Sequence, residues 1–166
     1  MTNKILYLIR HAKSSWEDRS VSDFDRSLNE RGLKDAPLMA KLLKSINVRP
    51  DLIISSPAKR CLLTAEIFCG ILEYPQENIR YENKIYDAGV KELMEVLAGI
   101  SDNIETVILF GHNPGLSTFS NLLGNKFIGE LPTCGIIGLN FGTTQWNKCE
   151  RGCGKIFIYE YPKKQK

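Results

Sequence analysis

Ile5-Leu6-Tyr7-Leu8-Ile9-Arg10-His11 is the stretch on which the reading of the fold turns. Five consecutive apolar residues make one strand's length without polar alternation, as expected of a strand covered on both faces. The run ends abruptly at Arg10 and His11. The pattern recurs twice: Asp51-Leu52-Ile53-Ile54 leads into Ser55-Ser56-Pro57, and Thr106-Val107-Ile108-Leu109-Phe110 leads into Gly111-His112-Asn113-Pro114-Gly115. Between these runs the spacing turns helical. From about Asn29 to Ser45, Leu33, Ala36, Ala40 and Leu43 fall on one face, with Pro37 expected to kink the helix or delay its start. Ser56-Pro57 reads as a serine cap with proline at the first helical position, opening a helix to about Glu73 whose inner face is Cys61, Ala65, Phe68 and Leu72. Ile79 to Tyr86 reads as a strand leading through Asp87-Ala88-Gly89 into a helix over Val90 to Ile100. A further helix ends near Gly124, and Cys134 to Phe141 and Lys155 to Tyr161 read as closing strands. Strands alternating with helices predict an α/β fold of three layers, a mostly parallel central sheet with helices on both faces.

With 166 residues and 43% apolar content, the chain can bury one core and is short for two, so residues 1–166 are read as a single domain. No apolar run approaches the roughly eighteen residues that cross a bilayer. Met1-Thr2-Asn3-Lys4 enters a strand rather than a signal-peptide core, so a cytoplasmic location without membrane contact is expected. A net charge of +3, much of it in Lys163, Lys164 and Lys166, gives no ground for a nucleic-acid partner. Five cysteines, an odd number without framework spacing, fit reduced thiols. Cys149 and Cys153 lie close together, but a structural zinc needs four ligands and neither histidine is near them in sequence; no metal and no cofactor is expected.

The chain has two histidines, and each stands just past the C-terminal end of an apolar strand. Ligands bind at that edge of parallel sheets, where loops converge and helix N-termini present free amides. One histidine so placed is as readily a packing residue; two in the same setting point to a shared pocket. Arg60, read about one turn into its helix, leans back toward the same edge. With Arg10 it makes a pair of guanidinium forks suited to a tetrahedral dianion, although either could instead be a surface ion pair. Lys13 and Lys59 read as solvated lysines that raise the local potential. There is no Walker loop, no kinase signature and no dense Asp/His pattern for two metals. What remains is phosphoryl transfer to a protein nucleophile: one imidazole attacks phosphorus while arginines and the second imidazole hold the equatorial oxygens.

Four ordered elements carry a family resemblance. Leu8-Ile9-Arg10-His11-Ala12-Lys13-Ser14-Ser15-Trp16, Asp25-Arg26-Ser27-Leu28-Asn29-Glu30-Arg31-Gly32, Ser55-Ser56-Pro57-Ala58-Lys59-Arg60-Cys61-Leu62-Leu63-Thr64-Ala65 and Gly111-His112-Asn113-Pro114-Gly115 resemble the signatures of the histidine phosphatase superfamily, which includes the phosphoglycerate mutases. Within it the short chain is similar to the SixA-like phosphohistidine phosphatases. Ala12 stands where many members have glycine. The resemblance implies His11 as the phosphorylated nucleophile, Arg10 and Arg60 as phosphate clamps, His112 as the second imidazole, and Ser14 as a further phosphate contact. Glu17 stands where relatives carry asparagine, so no contact is carried over to it. For the proton donor of larger members the nearest counterpart is Asp87, which is equally a cap or turn residue before Ala88-Gly89. A doubtful acid favours phosphohistidine over an ester, because imidazole leaves phosphorus readily once its free nitrogen is protonated. The expected partner is therefore a phosphorylated signalling or phosphotransfer protein, with a small phosphoester as the alternative substrate and inorganic phosphate as product. A further alternative is a non-catalytic phosphate-binding module.

Overall fold

In the computed structural model, which describes residues 3–166, the three apolar runs are neighbouring parallel strands. The elements in chain order are β1 (Lys4–Arg10), α1 (Glu30–Ser45), β2 (Leu52–Ser55), α2 (Lys59–Leu72), β3 (Arg80–Tyr81), α3 (Val90–Ala98), β4 (Thr106–Gly111), α4 (Gly115–Leu123), β5 (Ile136–Phe141) and β6 (Gly154–Glu160). Among the described residues they form one sheet in the order β3-β2-β4-β1-β5-β6. The first four positions are parallel, β5 runs antiparallel to β1, and β6 antiparallel to β5. The sheet is thus mixed, with only β5 reversed.

Alternation along the strands sends side chains to two separate cores. Leu6 and Leu8 of β1, with Val107 and Leu109 of β4, pack with Leu93, Leu97, Leu116 and Phe119 of α3 and α4. Tyr7, Ile9, Ile108 and Phe110 pack with Met39, Ala40, Ala65 and Phe68 of α1 and α2. Two helices therefore cover each face, which is why β1 and β4 read as unbroken apolar runs.

Several sequence expectations need correction. The run Ile79–Tyr86 pairs only at Arg80–Tyr81; Asn83–Ile85 then coils into a 3₁₀ turn that buries Ile85. Leu33 is 54% exposed, because the first turn of α1 sets Gly32 directly on the backbone of Lys13 and leaves Leu33 outside. A Cβ on Gly32 would lie 2.2 Å from the Lys13 carbonyl oxygen, so only glycine permits this approach. Pro37 does not delay α1: Asn29 Oδ1 accepts from Gly32 N–H at 2.9 Å and the helix continues through the proline. The N-cap of α2 is Ala58 rather than a serine. Trp146 belongs to the far end of the molecule. It is buried, donates Nε1–H to the Ile104 carbonyl at 2.8 Å, and lies beside Lys4 Nζ, which donates to the same oxygen at 2.9 Å.

Candidate active site

Parallel strands deliver their ends to one edge, and the backbone there is closely tied. His11 N–H donates to the Gly111 carbonyl at 3.1 Å and Ser56 N–H to that of Phe110 at 3.1 Å. The reversed strand β5 starts where the others finish, so Cys134 N–H donates to the carbonyls of Arg10 and His11, each at 3.0 Å. Around this edge lies a pocket of about 450 Å³, lined by Arg10, His11, Ser14, Arg60, Asp87 and His112 among others. All six side chains singled out in the sequence therefore meet in one cavity.

The imidazoles of His11 and His112 lie with ring centroids 5.4 Å apart, tilted by 55°. Their hydrogen bonds differ. His11 Nδ1–H donates to the Ala12 carbonyl at 2.8 Å, which puts the ring proton on Nδ1; Nε2 has no partner among the described residues. His112 Nε2 is 2.8 Å from Ser56 Oγ, which itself accepts from Ala58 N–H at 3.2 Å. When the Ser56 hydroxyl donates to Nε2, the His112 proton lies on Nδ1. The serine expected to cap α2 thus serves a histidine instead. Burial, followed by the charges of His112, Arg60 and Arg10, lowers the His11 imidazole to about 3 despite the opposing Ala12 bond. Burial and Arg60 lower that of His112 to about 4. Both rings are therefore neutral at physiological pH.

Arg60 is the second residue of α2, closer to the helix start than the sequence suggests, and still reaches the edge. Arg10 donates Nη1–H to the Leu131 carbonyl at 3.0 Å and lies 3.9 Å from Glu130. In both arginines the buried Nε has no hydrogen-bond partner among the described residues. An orphaned buried donor costs about 1–3 kcal/mol, a cost that both arginines carry at the wall of this pocket. Ser14 is buried, and its Oγ accepts from Arg26 Nη1–H. Asp87 lines the cavity with its backbone in the left-handed region, φ 59°, and its carboxylate makes no hydrogen bond among the described residues.

Sequence reasoning misses three residues of this cavity. Asp23 Oδ2 accepts from Tyr86 O–H at 2.7 Å and Arg60 Nη2–H at 3.1 Å, while its Oδ1 accepts from Arg26. The Tyr86 hydroxyl, with Arg60 and Arg26, holds the Asp23 carboxylate down at about 2. Arg26 is buried beneath the Trp16 ring, its guanidinium carbon 3.5 Å from the centroid. All lie on or against the aperiodic segment after β1, where no spacing marks an inward side chain. Arg26 does stand within a recognisable element, and that membership is the one signal that could have found it. Cys61, a packing residue by its helical spacing, is buried with its thiol 3.5 Å from His112 Nε2, and burial raises it to about 12. Among the described residues no three His, Cys, Asp or Glu side chains converge as a metal site, and no helix is long and apolar enough to cross a membrane.

The chain matches the sequence model of the Histidine phosphatase superfamily (branch 1) over residues 6–85. An uncharacterised chloroplastic protein of Arabidopsis thaliana is 30% identical over 151 residues, which cover 86% of this chain and 69% of that one. A candidate phosphohistidine phosphatase SixA from Agrobacterium tumefaciens is 28% identical, with a TM-score of 0.79 over 98% of this chain and 100% of that one. The protein histidine phosphatase SixA complexed with tungstate shares the fold at 19% identity, with a TM-score of 0.84 over 98% and 99% of the two chains. From sequence, fold and the setting of its two imidazoles alike, the chain belongs to the histidine phosphatase superfamily, as a SixA-like phosphatase.

Proposed function

We propose that this phosphatase passes the phosphoryl group through Nε2 of His11 without a metal, and that its substrate is phosphohistidine carried on a signalling or phosphotransfer protein. One observation carries the reading: a neutral imidazole whose Nδ1–H is fixed on Ala12 and whose Nε2 is free, in a pocket walled by two arginines and a second imidazole. In the first step Nε2 forms a bond to phosphorus as the P–N bond of the substrate breaks; the leaving imidazole, protonated on its other nitrogen, departs neutral. Arg10, Arg60 and the Nδ1–H of His112 hold the equatorial oxygens, with Ser14 beside them. Water then forms the new P–O bond, the P–Nε2 bond breaks, and phosphate leaves with His11 again neutral. The tungstate held by a protein of the same fold is likewise a tetrahedral oxyanion.

Neither step draws a proton from Asp87. An ester leaving group would need such a donor, and the place of Asp87 in the pocket is the observation that favours the second reading, a phosphomonoesterase of small molecules. The test compares kcat/KM for a phosphohistidine protein with those for sugar and glycerate phosphates. We expect the phosphohistidine protein to lead; esters preferred by orders of magnitude would reject the reading.

A further inference from the structure

The two most exposed large apolar side chains among the described residues, Phe127 at 82% and Trp16 at 68%, both border the candidate active site. Trp16 covers Arg26 in the pocket wall. Phe127 lies in an adjoining groove of about 640 Å³, which shares Arg10, Asn113 and Pro114 with the pocket. On the segment after Trp16, Val21 and Phe24 are also exposed, and Phe24 stands edge-on to Tyr86 with ring centroids 5.1 Å apart. A phosphoryl group bound to the arginines needs none of these rings. Exposed apolar surface of this kind marks protein contact, and aromatic side chains are the usual anchors of such contacts.

Charge narrows the partner. The arginines at the pocket floor are cationic, but the rim carries a small excess of carboxylates: Asp18, Asp25, Asp87 and Glu130 stand against Lys13, Arg19 and Lys59. Such a rim repels a second anionic group on the substrate and attracts cationic ones. We infer that the segment from Trp16 to Phe24 and the Phe127 groove form a docking surface for a protein that presents its phosphohistidine among apolar and basic side chains. The inference rests on the phosphohistidine reading and adds what surrounds that residue.

Three synthetic substrates test it at low salt: phosphoimidazole, a phosphohistidine peptide flanked by leucine and lysine, and the same peptide with glutamate for lysine. The leucine-lysine peptide should exceed both others in kcat/KM by about tenfold or more. Phe127→Ser should raise KM for that peptide about tenfold and leave phosphoimidazole turnover within about twofold, since the ring is an exposed anchor outside the pocket. Equal turnover of all three substrates, or a peptide KM indifferent to Phe127→Ser, overturns the docking surface and leaves the phosphohistidine reading standing. If none of the three turns over while p-nitrophenyl phosphate does, the phosphohistidine reading itself fails, and the docking surface with it.

Discussion

The ends of β1 and β4 are neighbours in register, Arg10 opposite Gly111, and each presents one imidazole to the same pocket. They differ in what grips the ring. His11 is held by a backbone carbonyl at Nδ1, leaving Nε2 bare; His112 is held at Nε2 by the Ser56 hydroxyl. Matching strand ends therefore carry imidazoles gripped at different nitrogens, His11 at Nδ1 and His112 at Nε2. On the proposed mechanism, what grips each ring, rather than its position in the fold, separates nucleophile from stabiliser.

The largest effect should come from removing the lone pair. His11→Ala is expected to cut turnover by at least about 10⁴-fold while phosphate still binds, measured by steady-state rates and by calorimetric titration of phosphate. Loss of phosphate binding together with turnover would instead make His11 part of the clamp. Arg60→Ala should lower kcat/KM by about 10²- to 10³-fold, and should weaken phosphate binding as well.

Next in size is the proton equilibrium of the two rings. The chain holds only two histidines, so proton NMR resolves both imidazoles directly. Titration midpoints should lie near about 3 for His11 and about 4 for His112, well below the ordinary 6.5. Because the folded values lie below the unfolded one, the unfolded chain binds more protons in that window. Stability from these rings is thus complete above pH 6.5 and is lost as pH falls toward about 4 and then about 3, lowering Tm. A midpoint near 6.5 for either ring would undo the assignment of a neutral pair.

Ser56→Ala should cost about tenfold in kcat by freeing the His112 ring, while His11 remains reactive toward a phosphoryl donor. Unchanged kcat would show that the hydroxyl does not set the orientation of that ring. The smallest change is expected at Asp87: Asp87→Asn should alter phosphohistidine turnover by less than about threefold, because an imidazole leaving group takes no proton from it. A loss of a hundredfold would move Asp87 into the machinery and favour the ester reading.

Legibility in the sequence differs with the kind of residue. Arg10, His11 and His112 follow directly from apolar strands that stop at polar side chains, since a covered strand brings its last residues to a crowded edge. Arg60 is legible because a helical side chain leans toward its own N-terminus, which tolerates the shift of the helix start to Lys59. Ser56 reads as a cap by local rules, but its hydroxyl meets a histidine 56 positions away, a partner no local pattern reveals. Asp23 and Arg26 are hidden for the same reason: a loop without periodicity carries no record of which side chains it turns inward. The strand expected over Ile79–Tyr86 fails after Tyr81 because Ile85 finds its core through a turn. That turn also brings Tyr86 to Asp23.

The sheet order has one more consequence. β4 is inserted between β2 and β1, so the strand that leads into His112 separates two strands made long before it. On a ribosome, His11 emerges early and then waits for β4 to slot in and for the Cys134 amide to clasp the Arg10 carbonyl. Until then Arg10, His11 and Arg60 lack the strand that brings His112 beside them, and on the proposed mechanism a fragment ending before β4 should take far less label from a phosphoryl donor than the whole chain. If His11 takes the phosphoryl group as proposed, its labelling would report completed folding, one molecule at a time.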